Sequence, residues 1–412
     1  MSDKRITTMG QIKETLNRNT DLANMPYFKN LVESKNIGPL RGTDRYRERF
    51  GNTPLDYPAL GTTPSPFKPK EWNVVETPEK VRDILLQDVK TEMEKEEGGN
   101  LYWPPSSTRA EEARDAIELI RNLTNPEFEC GEGLIPQLPS PTLEALVSGN
   151  KENWRSAISH TQMASSVFPR DHLITLQHHN EAISFSTLLV GQILWIIWPP
   201  TEDNLNTLQA AYESYASTLD ETAFDITDKL IGGISLVQSV GEGLRVPPFC
   251  LMTALPLQTS VLAAYNIIAS SKFVPTLLEI PFLKSWWKTE AEGAEKRATF
   301  GRGLLAPIQQ ILRAQFETYT AAQYNKIPVT TRNGPLMQFL STWDETRSNV
   351  IGLMDAETAA ALNSSMKEFL CSVLGEACAI CGERLGEHLG EKKARVEAHF
   401  DDEHWLGGED GV

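Results

Sequence analysis

Apolar and polar positions divide the chain into stretches of different period. Residues 76–150 carry two helical patterns, "TPEKVRDILLQDVKTEMEKEE" and "TRAEEARDAIELIRNLT", with helix starts at Thr77-Pro78-Glu79 and Ser107-Thr108. The charge run that closes the first reads as a solvated helix end. Residues 151–275 change character. Short β-rich runs follow one another there, "HLITLQHH", "ISFSTLLVG", "QILWIIW", "GEGLRVP" and "SVLAAYNII", separated by turn signals. "FSTLLVG" and "QILWIIWPP" are apolar at nearly every position, which predicts strands covered on both faces. Gly191-Gln192 between them is placed to turn a hairpin.

Residues 276–375 return to helical spacing in "GLLAPIQQILRAQFETYTAAQYN", "PLMQFLSTWDETRSNVIGLM" and "DAETAAALNSSMKEFLCSVLG". "GRGLLAP" reads as a helix start, not a phosphate loop. Trp286 and Trp287, between Lys284 and Lys288, suit either a stacking platform or a packing corner, and helical spacing favours the corner. Residues 1–75 are polar, with the Pro/Gly/Thr-rich "GNTPLDYPALGTTPSPFKPKEW", and read as an arm or linker. Residues 376–412 form a terminal module. No internal repeat and no Ser/His/Asp constellation stands out.

Composition narrows the class. The chain has 412 residues, room for one large core or two to three smaller units at ~150 residues per domain. A hydrophobic content of 40% marks a folded protein. The formal charge of −16 removes any general attraction to nucleic acid or anionic lipid, so such contact would need a local basic patch. Five cysteines is an odd, small number, and only Cys378 and Cys381 are closely spaced, which argues against a disulfide framework. "MSDKRITTMGQIKETLNRN" lacks the apolar core of a secretory signal. The most apolar stretch, Ile183–Trp198, is too short for a span of ~20 residues and holds Ser, Gly and Gln. An intracellular protein without a membrane span is expected, with the nucleus ahead of the cytoplasm.

The β-rich middle resembles a known family. "GQILWIIWPP" is similar to the Gly-x-Lys-x-Trp-x-x-x-Pro-Pro half of the signature hairpin of JmjC and asparaginyl-hydroxylase-like cupins, and "HHN" falls where their His-x-Asp stands. Their Gly-Asp-x-Leu-x-x-Pro-Pro-x-x-x-His is matched from Gly241-Glu242-Gly243-Leu244 through Pro247-Pro248 to Met252. The resemblance covers roughly 155–275 and implies a jelly-roll core. It also implies an Fe(II)/2-oxoglutarate oxygenase, if the ligands are kept. Carried over residue by residue, His178 is present, but the carboxylate position is Asn180 and the distal histidine is Met252. The lysine that would hold 2-oxoglutarate is Ile193. This class of iron site needs two imidazoles and one carboxylate on one face, so iron and 2-oxoglutarate are not expected. A shifted pair, His179 and Glu181, supplies a His-x-Glu. Strand alternation puts it on the face opposite His178 and Asn180 unless a bulge intervenes.

The C-terminal stretch carries a second constellation. Cys378-Ala-Ile-Cys381-Gly is a thiolate knuckle, and His399 and His404 follow at a spacing seen in pairs of zinc-binding histidines. The set resembles a Cys₂His₂ zinc finger with an overlong middle, in which His388 competes as a ligand and Val396 can cover the site. Lys392, Lys393 and Arg395 are ringed by acidic residues, so protein contact or closure of the tail is favoured over base readout. Cys371 reads as a core residue, Cys130 and Cys250 have no visible partner, and His160 and His172 read as structural.

Together these readings predict an α+β protein with five parts. They are a polar arm (1–75), a helical part (76–150), a degenerate JmjC-like jelly roll (151–275), a helical region (276–375) and a zinc-binding module (376–412). The expected function is a non-catalytic scaffold that binds a protein partner, a pseudoenzyme. The alternatives are an oxygenase (hydroxylase or demethylase) with an unusual ligand set, and a nucleic-acid-associated zinc protein.

Overall fold

The structure is a computed structural model, and it describes residues 61–63, 75–95, 99–125, 133–147, 157–314, 334–373, 377–385 and 392–405. Nearly all of the polar arm, together with Cys130 and His388, lies outside the described residues. The chain divides into two compact units. The first holds Met1–Arg155, His160–Ala211 and Asp220–Ile267; the second holds Ser156–Ser159, Tyr212–Leu219 and Ile268–Val412.

In the first unit, both predicted helix starts act as caps. Helix α1 (Pro78–Met93) opens at Thr77, whose side chain accepts the Lys80 N–H, with proline at the first helical position. Helix α2 (Arg109–Arg121) opens on a capping box of Thr108 and Glu111. The short helix α3 (Pro141–Val147) follows, and α4 (Glu202–Thr218) begins after the Pro-Pro stop at 199–200. Val81, Leu85 and Val89 of α1 and Leu119 and Ile120 of α2 bury the apolar faces that the helical period predicted.

The strands are β1 (Gly61–Thr63), β2 (Ile135–Pro139), β3 (Ala157–His160), β4 (Ala164–Phe168), β5 (Ile174–His178), β6 (Ile183–Trp198), β7 (Ile234–Ser239), β8 (Gly243–Val246) and β9 (Leu251–Ala269). They form one nine-stranded sheet in the order β1-β8-β6-β9-β4-β2, with β3 and β5 also on β9 and β7 also on β6. Ladders β1·β8, β2·β4, β4·β9, β5·β9 and the three made by β6 are antiparallel. The segments expected to share a jelly-roll core, Gln177–Asn180, Ser184–Leu189, Ile193–Trp198, Leu244–Val246 and Val261–Ile267, lie in or directly beside strands of one antiparallel sheet.

Gly191 does not turn a hairpin. The two apolar runs are one continuous strand, β6, whose first half pairs with β8 and whose second half pairs with β7, while β9 runs along both. Gly191 has a positive φ of 86° at a register irregularity between Val190 and Gln192, where a Cβ would collide with the Thr259 carbonyl and Ser260. The glycine supplies a bulge that bends a long strand without ending it. A hairpin would have left one of the runs without a ladder on β9.

The core on this sheet joins Ile193, Trp195 and Ile197 of β6 to Ile234 and Leu236 of β7, Leu244 and Val246 of β8, and Met252 and Ala254 of β9. Each large aliphatic side chain buried here contributes ~1.5–3 kcal/mol relative to exposure. The one polar tip, Trp195 Nε1–H, donates to Gln238 at 3.0 Å.

The second unit is helical: α5 (Ser270–Leu278), α6 (Ile280–Trp287), α7 (Gly293–Ala314), α8 (Pro335–Ile351), α9 (Ala356–Ser372) and α10 (Lys392–His399), followed by a π turn, Phe400–His404. "GRGLLAP" is not a helix start; it lies inside α7, because the apolar period of Leu304 continues through Ile308 and Ile311. Trp287 is buried against Phe300, and Trp286 donates to Glu290 beneath the Lys296 ammonium, so both rings are used in packing. Among the described residues no helix is long and apolar enough to cross a membrane.

Candidate metal centre

The terminal cysteines and histidines come together. The ligand atoms of Cys378, Cys381, His399 and His404 all lie within 4.8 Å of one another, a cluster able to hold a metal ion. Cys378 Sγ is 3.5 Å from His404 Nε2, and Cys381 Sγ is 3.4 Å from His399 Nε2. Metal–sulfur bonds of ~2.3 Å and metal–nitrogen bonds of ~2.0–2.1 Å at a tetrahedral angle give an S···N edge of ~3.6 Å. These two separations match the S···N edge of a coordination tetrahedron.

Local sequence builds each half. In the knuckle, Gly382 takes a φ of 78° and its N–H returns to the Cys378 carbonyl at 3.0 Å, while Cys378 N–H reaches the Glu383 carbonyl at 2.8 Å. That closure points the Ile380 and Glu383 N–H groups at the two sulfurs, at 3.4 and 3.5 Å. Burial pushes the Cys378 thiol above its ordinary range, opposed by the Cys381 and Ile380 N–H groups and raised further by the Cys381 sulfur. A cation at the cluster is what would favour the thiolate.

The histidine half depends on the π turn. In an α-helix, residues five apart stand ~140° apart around the axis at ~100° per residue. The π turn at Phe400–His404, with its i→i+5 closure, brings His399 and His404 back to one side, with ring centroids 5.0 Å apart. Phe400 and Val396 are buried behind them, and Val396 lines a small apolar cavity with Leu370, Cys378 and His399. His404 Nδ1 lies 2.7 Å from Asp344 Oδ1 on α8; His399 Nδ1 is 3.8 Å from Glu383 Oε2. Asp344, 60 positions away from His404, carries no motif that sequence reading could have found. Cys371 is half-buried on α9, its sulfur 3.9 Å from Glu397 Oε1.

The β-core positions behave differently. His178 is buried at the end of β5, its ring stacked 6.1 Å from Phe249. Asn180 donates through Nδ2 to Ser184 Oγ at 2.8 Å and Asn266 Oδ1 at 3.2 Å, so it serves as a polar clip between strand ends. Met252 and Ile193 are fully buried members of the apolar core.

Register separates them further. Gln177 pairs with Met252 and His178 with Leu251. Opposed residues share a face and neighbours alternate, so His178 and Met252 point to opposite faces. His179, just past the end of β5, falls by simple alternation on the face of Met252, with no bulge between it and His178. Even so, among the described residues no group of three converging His, Cys, Asp or Glu donors includes His178, His179 or Glu181.

Burial sets the protonation of this stretch. It pushes His178 down to about 3, helped by His179, and His179 down to about 4, while it pushes Glu181 up. All three favour the neutral form, the response of titratable groups to burial away from water. No protein-family model matches the chain, and no curated protein matches it either.

Proposed function

We propose that the chain is a non-catalytic framework protein that binds a protein partner. In this reading its sheet derives from a JmjC-like jelly roll whose Fe(II)/2-oxoglutarate site has been lost, and its C-terminal cluster is a structural zinc centre. One observation carries the first half. Ile193 and Met252, which stand for the 2-oxoglutarate lysine and the distal iron ligand, are packed into the same apolar core. An acyclic dicarboxylate needs a cation where Ile193 offers a branched hydrocarbon. Fe(II) needs imidazole or carboxylate donors where Met252 offers a thioether.

For the second half, two cysteines and two histidines gathered at one point, with two S···N separations at tetrahedral edge length, suit zinc, and a closed four-donor set is structural because it leaves no position for a substrate. Zinc supplies the cross-link; the chain's own part is to bring two separate segments, the knuckle and the histidine turn, to one point. Metal analysis of the purified protein is expected to give one zinc per chain and no iron. The decisive experiment is succinate release under Fe(II), ascorbate and 2-oxoglutarate, beside a His178→Ala/His179→Ala double variant. Equal, background release is expected. Turnover above the double variant would overturn the non-catalytic reading and make His179 and Glu181 the ligand candidates. Salt-independent, negligible retention of DNA and RNA is expected as well, since the acidic chain offers few phosphate partners.

A further inference from the structure

We propose that Asp344 is the positioning residue of the C-terminal centre, fixing the His404 ring so that metal binding is energetically part of the helical unit. The inference rests on reading Cys378, Cys381, His399 and His404 as a metal centre, and it concerns a residue outside that set.

The geometry of His404 carries it. The imidazole side chain is 3% exposed, with Nδ1 2.7 Å from Asp344 Oδ1 and Nε2 3.5 Å from Cys378 Sγ. A neutral imidazole has one N–H. With a carboxylate on Nδ1, the proton resides there, and the Nε2 lone pair is left facing the centre. Metal-bound histidines are commonly oriented by such a carboxylate, which also makes the ring a better donor. Among the described residues His399 has no equivalent: Glu383 stands 3.8 Å from its Nδ1 and is largely exposed, beyond hydrogen-bond range.

The same stretch of α8 grips the turn through different atoms. Trp343 Nε1–H donates to the His404 carbonyl at 3.0 Å, and Arg347 donates to the Glu403 carbonyl. Arg347 also lies 3.4 Å from Asp344 Oδ1. Trp343 and Arg347 thus hold the backbone of the turn, and Asp344 holds the ring at Nδ1. The two roles are separable by substitution.

The test is Co(II) and Zn(II) affinity of the full chain by chelator competition, with the visible Co(II) ligand-field spectrum and the melting temperature of the metal-free protein. Asp344→Asn keeps the shape but removes the charge. Its metal affinity is expected to fall about 10–100-fold, with a shifted Co(II) spectrum and an unchanged metal-free melting temperature. Glu383→Gln is expected to stay within about threefold of wild type. Asp344→Asn at wild-type affinity, or Glu383→Gln losing as much, would overturn the inference. If Asp344→Asn does not fold, Asp344→Glu replaces it: a several-fold weaker site supports the role, and wild-type affinity refutes it. Failure of the wild type to bind Co(II) at all would instead refute the metal reading itself.

Discussion

His178 at the end of β5 and His404 in the C-terminal turn are both buried histidines belonging to metal-like sequence patterns, and their surroundings are opposite. His178 lies against Phe249, and burial pushes it down to about 3. His404 has a carboxylate on one nitrogen and a thiol sulfur on the other. Burial alone makes an imidazole neutral and inert. A ligand needs partners, which must arrive from other segments with their donor atoms at bonding distances. Around His404 the knuckle, the π turn and α8 deliver them. Around His178 the equivalent positions deliver a thioether, an isobutyl-sized hydrocarbon and an amide already committed to Ser184 and Asn266.

The largest expected effect tests the donor-rich end of this contrast. Cys381→Ser replaces a thiolate by a hydroxyl that stays protonated near neutral pH, and zinc affinity should fall by at least ~10³-fold. Metal analysis after dialysis checks it, and full stoichiometric zinc in the variant would break the ligand assignment.

The next tests the donor-poor end by introducing donor groups there. Ile193→Lys forces an ammonium into the apolar core, with an expected loss on the order of 3–5 kcal/mol in urea unfolding. The triple variant Ile193→Lys, Asn180→Asp, Met252→His is expected to bind no stoichiometric iron, since positions 178 and 252 face opposite sides of the ladder. Tight iron in that variant would show that the site is merely mutated and not dismantled.

Acid titration should sharpen the contrast further. His178 and His179 have folded values of about 3 and about 4, below the ordinary 6.5, so the unfolded chain takes up protons first. Stability is therefore lost as pH falls from 6.5 towards 4, by up to ~3 kcal/mol per histidine. Asp88 works the other way. Burial raises it from 3.8 to about 6, against the hydrogen bond from Ser140, so its favourable contribution is present below pH 4 and is lost as pH rises through 6. His179→Gln should flatten the acid loss between pH 6.5 and 4, and Asp88→Asn should steepen it. Urea midpoints at three pH values across that window read both, and an unchanged slope in His179→Gln would contradict the burial argument.

The smallest effect is expected from Asn180→Asp. It introduces a carboxylate but removes two donated hydrogen bonds, which should lower stability by about 1–2 kcal/mol without creating metal affinity.

Much of this was legible in the chain. Thr77 and Thr108 identified themselves as caps because capping is decided within four residues. The all-apolar runs on either side of Gly191 announced strands covered on both faces, since period and composition are local properties. The knuckle Cys378–Gly382 was readable for the same reason. The meaning of Gly191 was not, because a positive φ serves a turn and a bulge equally well. Only the partner strand β9, which runs on past it, selects the bulge.

The sequence by itself determined the caps, the strand runs around Gly191, several of the helices and which residues could serve as donors, all of which follow from short-range sterics and periodicity. Tertiary structure decided the rest. It set the one-residue register that parts His178 from Met252, the packing that turned Ile193 into core, and the placement of Asp344 beside His404. These depend on side chains tens of residues apart reaching the same few ångströms. Which distant groups meet is settled by the packing of whole elements and not by any local pattern.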